Sequence, residues 1–476
     1  MSFLGTGFAA ASGSYSITNS IRLNGTSDYL SKTLTTSSTT SGSVWVKRSK
    51  LGATSPIFDN KVYFTSGDAL YAFGLTSTAL YRDPSAWMHI FWNGTGVYVN
   101  GTLVTGSGTY TAASVTNPRL GYDGTNYFSG SLSDFAFWNG TSASLQGGAT
   151  NADGVWAAKR PSAGYSFLEF QASGNLGDDT SGNANDWTVN SSPVQTTDTP
   201  TSNSCTLNPL EPGSGTHSNG NLSISLSSYN YQGFGSFQMT SGKWYWEVSS
   251  TGSTQVMAGI CDPRVARGSD PWSSAYIWGY RDDNGNIRHN GTNTAYGNSY
   301  TTEVIGVAYD ADNGKLYFSK SGTWQNSAVP ASGTGGFTTD IVAGTGYLPW
   351  FGSQVNVTRS WSVNFGATAF AHTPPTGFKS LNTANLASAA VTTSGTFTGN
   401  ANADGPFVWT NGNPATLTIN GNAVTFGTHA DKTAGGFKLR SSSASYNTSG
   451  SNTWTATAGK RLVYSATSIN TAQGNP

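Results

Sequence analysis

Apolar residues alternate with polar ones in short runs along most of the chain, and the runs are cut by Gly, Asn, Asp, Ser and Pro. Gly306 to Trp324, GVAYDADNGKLYFSKSGTW, is the clearest case. Val307 alternates with Tyr309 and Leu316 with Phe318. This predicts two strands with apolar side chains on one face, joined by a tight turn whose positive-φ positions are Asp312, Asn313 and Gly314. Similar runs precede it (SIRLNGTSDYLS, SVWVKRS, AWMHIFWNGTGVYVNGTLV, GKWYWEV, IWGYRDDNG) and follow it (LPWFG, WSVNFGA, PATLTINGNAVTFG). No segment sustains a helical period, and glutamate occurs only at Glu169, Glu211, Glu247 and Glu303. The expected class is all-β, in tandem antiparallel sandwiches.

Breaks in this pattern divide the chain. A first strand-rich region spans 1–140. A connector rich in Gly, Asn, Ser, Thr and Pro spans 141–206, where VWAAKR reads as a short helix and YSFLEF as a strand, and where Trp187 and Val189 are anchors for one neighbour or the other. A second strand-rich region spans 207–387. A small β domain spans 388–476, with a hairpin turn over Asn420 to Asn422.

Three sets of residues carry resemblances. The order and spacing of GKWYWEV, MAGICD, IWGYRDDNG, the Gly306 hairpin, LPWFG and WSVNFGA resemble a SPRY domain. That likeness implies a two-sheet sandwich that offers variable loops to a partner and does no catalysis. In the first region, His89 and the YVNG strand, then LGYDG and FSGSLSDFAFWN, resemble the laminin-G and concanavalin-like jelly rolls. The two modules in this order, with DTSGNANDW and CTLNPL between them, resemble phage tail-fibre or appendage proteins. What that implies is a virion-surface protein, a homo-oligomer and by analogy a trimer, whose partners are other virion proteins and a bacterial surface glycan or protein.

Composition fits this reading. Charged residues make up 10% of the chain and balance at 24 basic and 24 acidic, against about 25% charged in an average domain, so no field favours nucleic acid or an anionic membrane. No apolar run is long enough to span a bilayer. The first residues have small side chains but no basic residue before Arg22, and are read as mature chain rather than a signal peptide. A surface that looks extracellular without an export signal fits a particle assembled in a cell and released by lysis. Cys205 and Cys261 are too few for a disulfide framework and are read as buried free thiols, although their pairing stays open.

Catalytic patterns are missing from the sequence. A glycosidase needs paired carboxylates, and each Glu here stands alone. Glu247 lies where the SPRY resemblance implies a structural acid. The histidines are scattered, and His89 is read as structural. Calcium is the one cofactor for which the sequence offers ligands, with oxygens at Asp123 and Asn126 or at Asp282, Asp283, Asn284 and Asn286, and a plain turn is the preferred reading of both runs.

Aromatic residues in turn-rich segments are the better signal, because rings beside polar groups suit both glycan hydroxyls and protein interfaces. Trp272, Tyr276, Arg281 and Asp283 form the first candidate group, with Arg264 and Arg267 nearby. Trp278 and Tyr280 are assigned to the core, and Trp272 and Arg281 to the surface. Tyr122, Asp123, Asn126 and Tyr127 form a second group, in which a self-supporting turn is the plainer reading.

Overall fold

The computed structural model describes residues 15–34, 39–140, 144–151, 154–162, 164–213, 215–228, 231–251, 255–353 and 358–386, and strand segments between 393 and 464. The described residues are almost wholly β, in antiparallel sheets that pair as sandwiches. The signal-peptide question falls on residues 1–14, outside those described. Described residues fall into two compact units, one spanning 1–149 and 156–385 and the other 150–155 and 386–476.

The first sandwich packs two eight-stranded sheets. In one sheet the long strand Ser129–Trp138 lies between Ser41–Arg48 and Ser20–Asn24. In the other, Ala69–Ala72, Val62–Phe64, Ser55–Phe58, Arg119–Leu120 and Tyr29–Ser31 follow one another across the sheet. Alternation puts Leu30, Val62, Phe64, Leu70 and Leu120 into a core shared with Val44, Ile90, Leu132 and Phe137. The YVNG turn closes as the sequence implies: Asn100 and Gly101 both have positive φ, and a Cβ on Gly101 would meet the Trp156 ring at 2.4 Å. His89 is fully buried, its Nε2 2.9 Å from Ser43 Oγ, and burial pushes its pKa down to about 3.

Residues read as a connector supply strands to these sheets. Ser166–Leu168 pairs with Ser129–Trp138, Thr188–Asn190 with Tyr29–Ser31, and Val194–Thr196 with Ser20–Asn24. VWAAKR is not helical: Trp156–Ala158 is a strand. Trp187 docks on the first sandwich, edge-on to Phe135 at 5.2 Å, with its Nε1 donating to Ser166 Oγ at 2.9 Å. Polar surroundings hid these pairings because each strand is three residues long, too short to show an alternation of its own.

The second sandwich pairs an eight-stranded sheet, centred on Lys243–Ser250, Ile305–Asp310 and Lys315–Lys320, with a six-stranded sheet centred on Val256–Cys261 and Leu348–Ser353. The Gly306 hairpin forms in register from Ile305↔Lys320 to Asp310↔Lys315. Its turn needs only one left-handed residue: of the three expected, Gly314 alone has positive φ. Asp310 supplies the rest of the turn's support, accepting from Asn313 N at 3.1 Å and Asn313 Nδ2 at 2.9 Å. Both faces of the hairpin are buried, not one. Val307, Tyr309, Leu316 and Phe318 face the other sheet, while Ala308 and Tyr317 pack with Tyr245 beneath Phe378 and Phe370. Glu247 fastens that cover: its carboxylate accepts from Ala371 N and His372 N, each at 2.7 Å, and from the Tyr245 hydroxyl at 2.9 Å.

The two sandwiches lie in one compact unit and share a polar junction. Lys47, buried on the first sandwich, donates to Asp198 Oδ2 at 2.9 Å, Asn203 Oδ1 at 2.7 Å and the Ser204 carbonyl at 2.8 Å. The chain then enters the second sandwich, where Cys205 N donates to the Leu381 carbonyl at 2.8 Å. Cys205 and Cys261 are free and buried.

In the C-terminal unit, Thr393–Gly399 pairs with Gly450–Ala456, which also pairs with Leu417–Ile419, and a separate sheet joins Gly436–Lys438, Pro406–Thr410 and Arg461–Tyr464. Leu417–Ile419 pairs with Asn422–Ala423 as an NG-type hairpin would; Asn420 and Gly421, in the expected turn, lie outside the described residues.

Candidate functional site

The loop from Asp262 to Tyr276 crosses one end of the second sandwich, between Val256–Cys261 and Ile277–Arg281. Its geometry overturns one expectation. Trp272 and Arg281 are not surface residues, being 8% and 5% exposed. The Trp272 ring is contacted by two guanidinium groups, with Arg281 Cζ at 4.5 Å and Arg288 Cζ at 4.8 Å from its centroid. Asn293 Oδ1 accepts from Arg281 Nη1 at 3.0 Å and Arg288 Nη1 at 3.3 Å, and Asp283 pairs with Arg281 in a two-point bridge. Arg288 Nε also donates to the Trp272 carbonyl at 2.9 Å. The stack therefore fixes the loop rather than offering a bare ring, in keeping with the strength of desolvated cation–π contacts.

Tyr276 is the exposed aromatic of the group, at 37%. Arg264 lies over its ring at 4.9 Å, and Asp262 holds that guanidinium with two contacts of 2.9 and 2.7 Å. The Arg264 side-chain hydrogen bond holds the Asp262 carboxyl below its ordinary range. The other exposed residues of this loop are Arg264, Ala266, Gly268, Asp270, Ser273 and Ala275. One ring, one fixed cation and several polar groups on a rigid loop form a surface suited to recognition. Trp278 and Tyr280 are core residues, as expected. Trp278 stacks on His289 at 4.6 Å, and Tyr280 on Phe318 at 4.8 Å.

On the first sandwich, Tyr122 and Tyr127 stack at 4.3 Å and Tyr29 lies 4.8 Å from Tyr122. Asp123 closes the turn as expected, its Oδ1 accepting from Thr125 N at 2.8 Å and Asn126 N at 2.6 Å and its Oδ2 from Asn126 Nδ2 at 3.0 Å. Sequence reasoning missed Tyr29, Arg119, Arg288 and Asn293, which join these groups from distant strands. Only the tyrosine at the outward slot of YLS gave a local sign of this.

In both oxygen-rich turns a carboxylate is engaged by the protein itself. Asp123 spends both oxygens on its own turn, and Asp283 already pairs with Arg281, whose charge repels a cation. Among the described residues, no group of three or more His, Cys, Asp or Glu is placed to hold a metal ion. Glu303, read as isolated, accepts from Thr301 N at 2.6 Å and pairs with Lys320 at 2.9 Å, and the Lys320 contact leads in bringing its pKa down to about 2.

Comparison with known proteins bears on the second sandwich. Three of the solved structures similar to the chain are that titled stonustoxin (20% identity, 34% of this chain and 27% of that one, TM-score 0.28), the SPRY domain of human HERC1 (19%, 30% and 87%, 0.25) and the TRIM65 PSpry domain (15%, 34% and 92%, 0.27). The chain thus spans about a quarter of the stonustoxin chain's length. No curated protein sequence matches the chain. Residues 243–367 match the family model of the SPRY domain, and the second sandwich of this multi-domain β protein is a SPRY domain.

Proposed function

We propose that this protein is a non-enzymatic appendage of a bacteriophage virion that recognises a glycan or protein on a bacterial surface through its SPRY loops. The observation that carries the reading is Tyr276, an exposed ring set on the Asp262–Arg264 pair at one end of a SPRY sandwich. Supporting it are the low, balanced charge and the module order, which resembles phage appendages. Homo-oligomerisation, as a trimer, and attachment to other virion proteins belong to the same proposal, as does the placing of 388–476 as a separate domain. Several copies on one particle would raise avidity through effective concentration, so weak single-site binding suffices.

The test is adsorption of the purified full chain to a panel of bacterial strains, beside binding to phage capsids. Saturable binding to cells that competes with infection supports the reading. Binding to capsids with no adsorption to any strain would instead favour the second role the module order allows, a decoration or adaptor protein.

A further inference from the structure

The outer face of one sheet of the first sandwich carries a row of tyrosines that the SPRY reading leaves unused. Leu70, Ala72, Val62, Phe64, Leu30 and Leu120 face the core, so the residues alternating with them face outward. Those outward positions are Tyr71, opposite Tyr63; Tyr63, opposite Pro56; Arg119, opposite Ser31; and Tyr29, opposite Asn190. Tyr122 and Tyr127 join Tyr29 from the following loop. From Ala69–Ala72 to Tyr29–Ser31 the row crosses four strand spacings, about 19 Å.

Its chemistry is narrow. Tyr63 and Tyr71 stack at 4.5 Å and Tyr122 and Tyr127 at 4.3 Å, which fixes the rings before any ligand arrives and lowers the ordering cost of binding. All these tyrosines are half-buried. Among the described residues no protein group hydrogen-bonds the hydroxyl of Tyr29, Tyr63 or Tyr71. The one cation in the row is neutralised, because Arg119 pairs with Asp59 at 2.9 Å while lying 5.0 Å from the Tyr122 centroid. Apart from Pro56, the outward positions named here carry rings, hydroxyls, an amide and a paired guanidinium, and no aliphatic side chain.

We propose that this face binds a neutral polysaccharide laid across the strands. Rings meet sugar C–H groups and free phenols meet sugar hydroxyls, while the Asp123 carboxylate, which acts on Tyr63 and is held by its own turn and not by a cation, suits an uncharged polymer better than an acidic one. Half-buried phenol hydroxyls that no protein group satisfies call for a ligand rich in hydroxyls, which a sugar polymer offers along its whole length. The proposal rests on the recognition role above but uses a different face, so the two can fail separately.

The test is affinity electrophoresis of the full chain in native gels containing dextran, mannan or galactan. The variants are Tyr63→Ala, Tyr29→Ala, Tyr63→Phe and Tyr276→Ala, each with its melting temperature measured. Expected are retardation by at least one polymer, at least tenfold weaker in Tyr63→Ala and Tyr29→Ala, intermediate in Tyr63→Phe, and unchanged in Tyr276→Ala. The Tyr63→Phe and Tyr276→Ala results keep the test sound if either alanine variant is poorly folded. No retardation in any of the gels, or retardation that survives both alanine changes in folded protein, overturns the proposal. Cell binding lost in Tyr276→Ala without polysaccharide retardation would overturn it while leaving the SPRY role standing.

Discussion

Asp134 sits where Ser129–Trp138 bulges, with φ of 47° and its Oδ2 buried without a hydrogen-bond partner. Burial raises its pKa to about 7, and the nearby Glu169 charge adds to the rise. A carboxyl whose folded pKa lies above its unfolded value stabilises the fold while protonated, so this contribution fades as pH climbs from about 4 through 7. Asn tolerates a left-handed backbone, which makes Asp134→Asn a clean probe. The variant is expected to match the wild type near pH 4 and to exceed it at pH 8 by roughly 2–4 kcal/mol, read from denaturant melts at both values. Trp272 and Tyr276 separate in the same way. Trp272→Ala should cost about 3–5 kcal/mol, whereas Tyr276→Ala should leave stability within about 0.5 kcal/mol, since its ring is the exposed one. The sequence showed that both were aromatic and near arginines. It could not show which was covered, because Arg288, the second cation on Trp272, lies 16 residues further on.

Elements whose pairing is local were the easiest to read. The Gly306 hairpin and the YVNG turn carry their own alternation and Asn-Gly signals, and both formed. What covers the hairpin's outer face was not legible. Tyr245 and Tyr317 occupy slots that alternation assigns to solvent, and contact with Trp324 and Ala328 just past the hairpin and with Phe370 and Phe378 further along the chain buries them. Glu247 decides whether that cover stays down. In Glu247→Gln one of the two carboxylate acceptors becomes an NH2 group facing backbone N–H donors, and the expected loss is about 1.5–3 kcal/mol. Hydrogen exchange should locate the effect: the amides of Ala371 and His372 should exchange faster, with little change in the strand Val256–Cys261. Uniform acceleration across both sheets would show that Glu247 supports the whole sandwich rather than its cover.

At the scale of the molecule, the segment from 141 to 206 was the part least visible in sequence, since its strands are three residues long and draw their meaning from partners in the first sandwich. It also carries the junction. Lys47 satisfies three acceptors from Asp198, Asn203 and Ser204 in a buried site, and removing one member of a buried ion pair costs roughly 3–5 kcal/mol. Lys47→Met is therefore expected to split a single calorimetric unfolding transition into two, one for each sandwich; a single transition at unchanged temperature would show that the sandwiches are coupled elsewhere. The junction also rules out simple deletion as a probe of the SPRY domain, because Thr197 N and Cys205 N bond to Ala367 and Leu381 within it. Point changes on the loop are the sounder test. The most direct is a saturation-binding curve of labelled full-length protein on bacterial cells, for the wild type and for Tyr276→Ala combined with Arg264→Ala. The recognition role predicts saturable wild-type binding that weakens at least tenfold in the double variant at equal melting temperature; identical curves for the two proteins would contradict it.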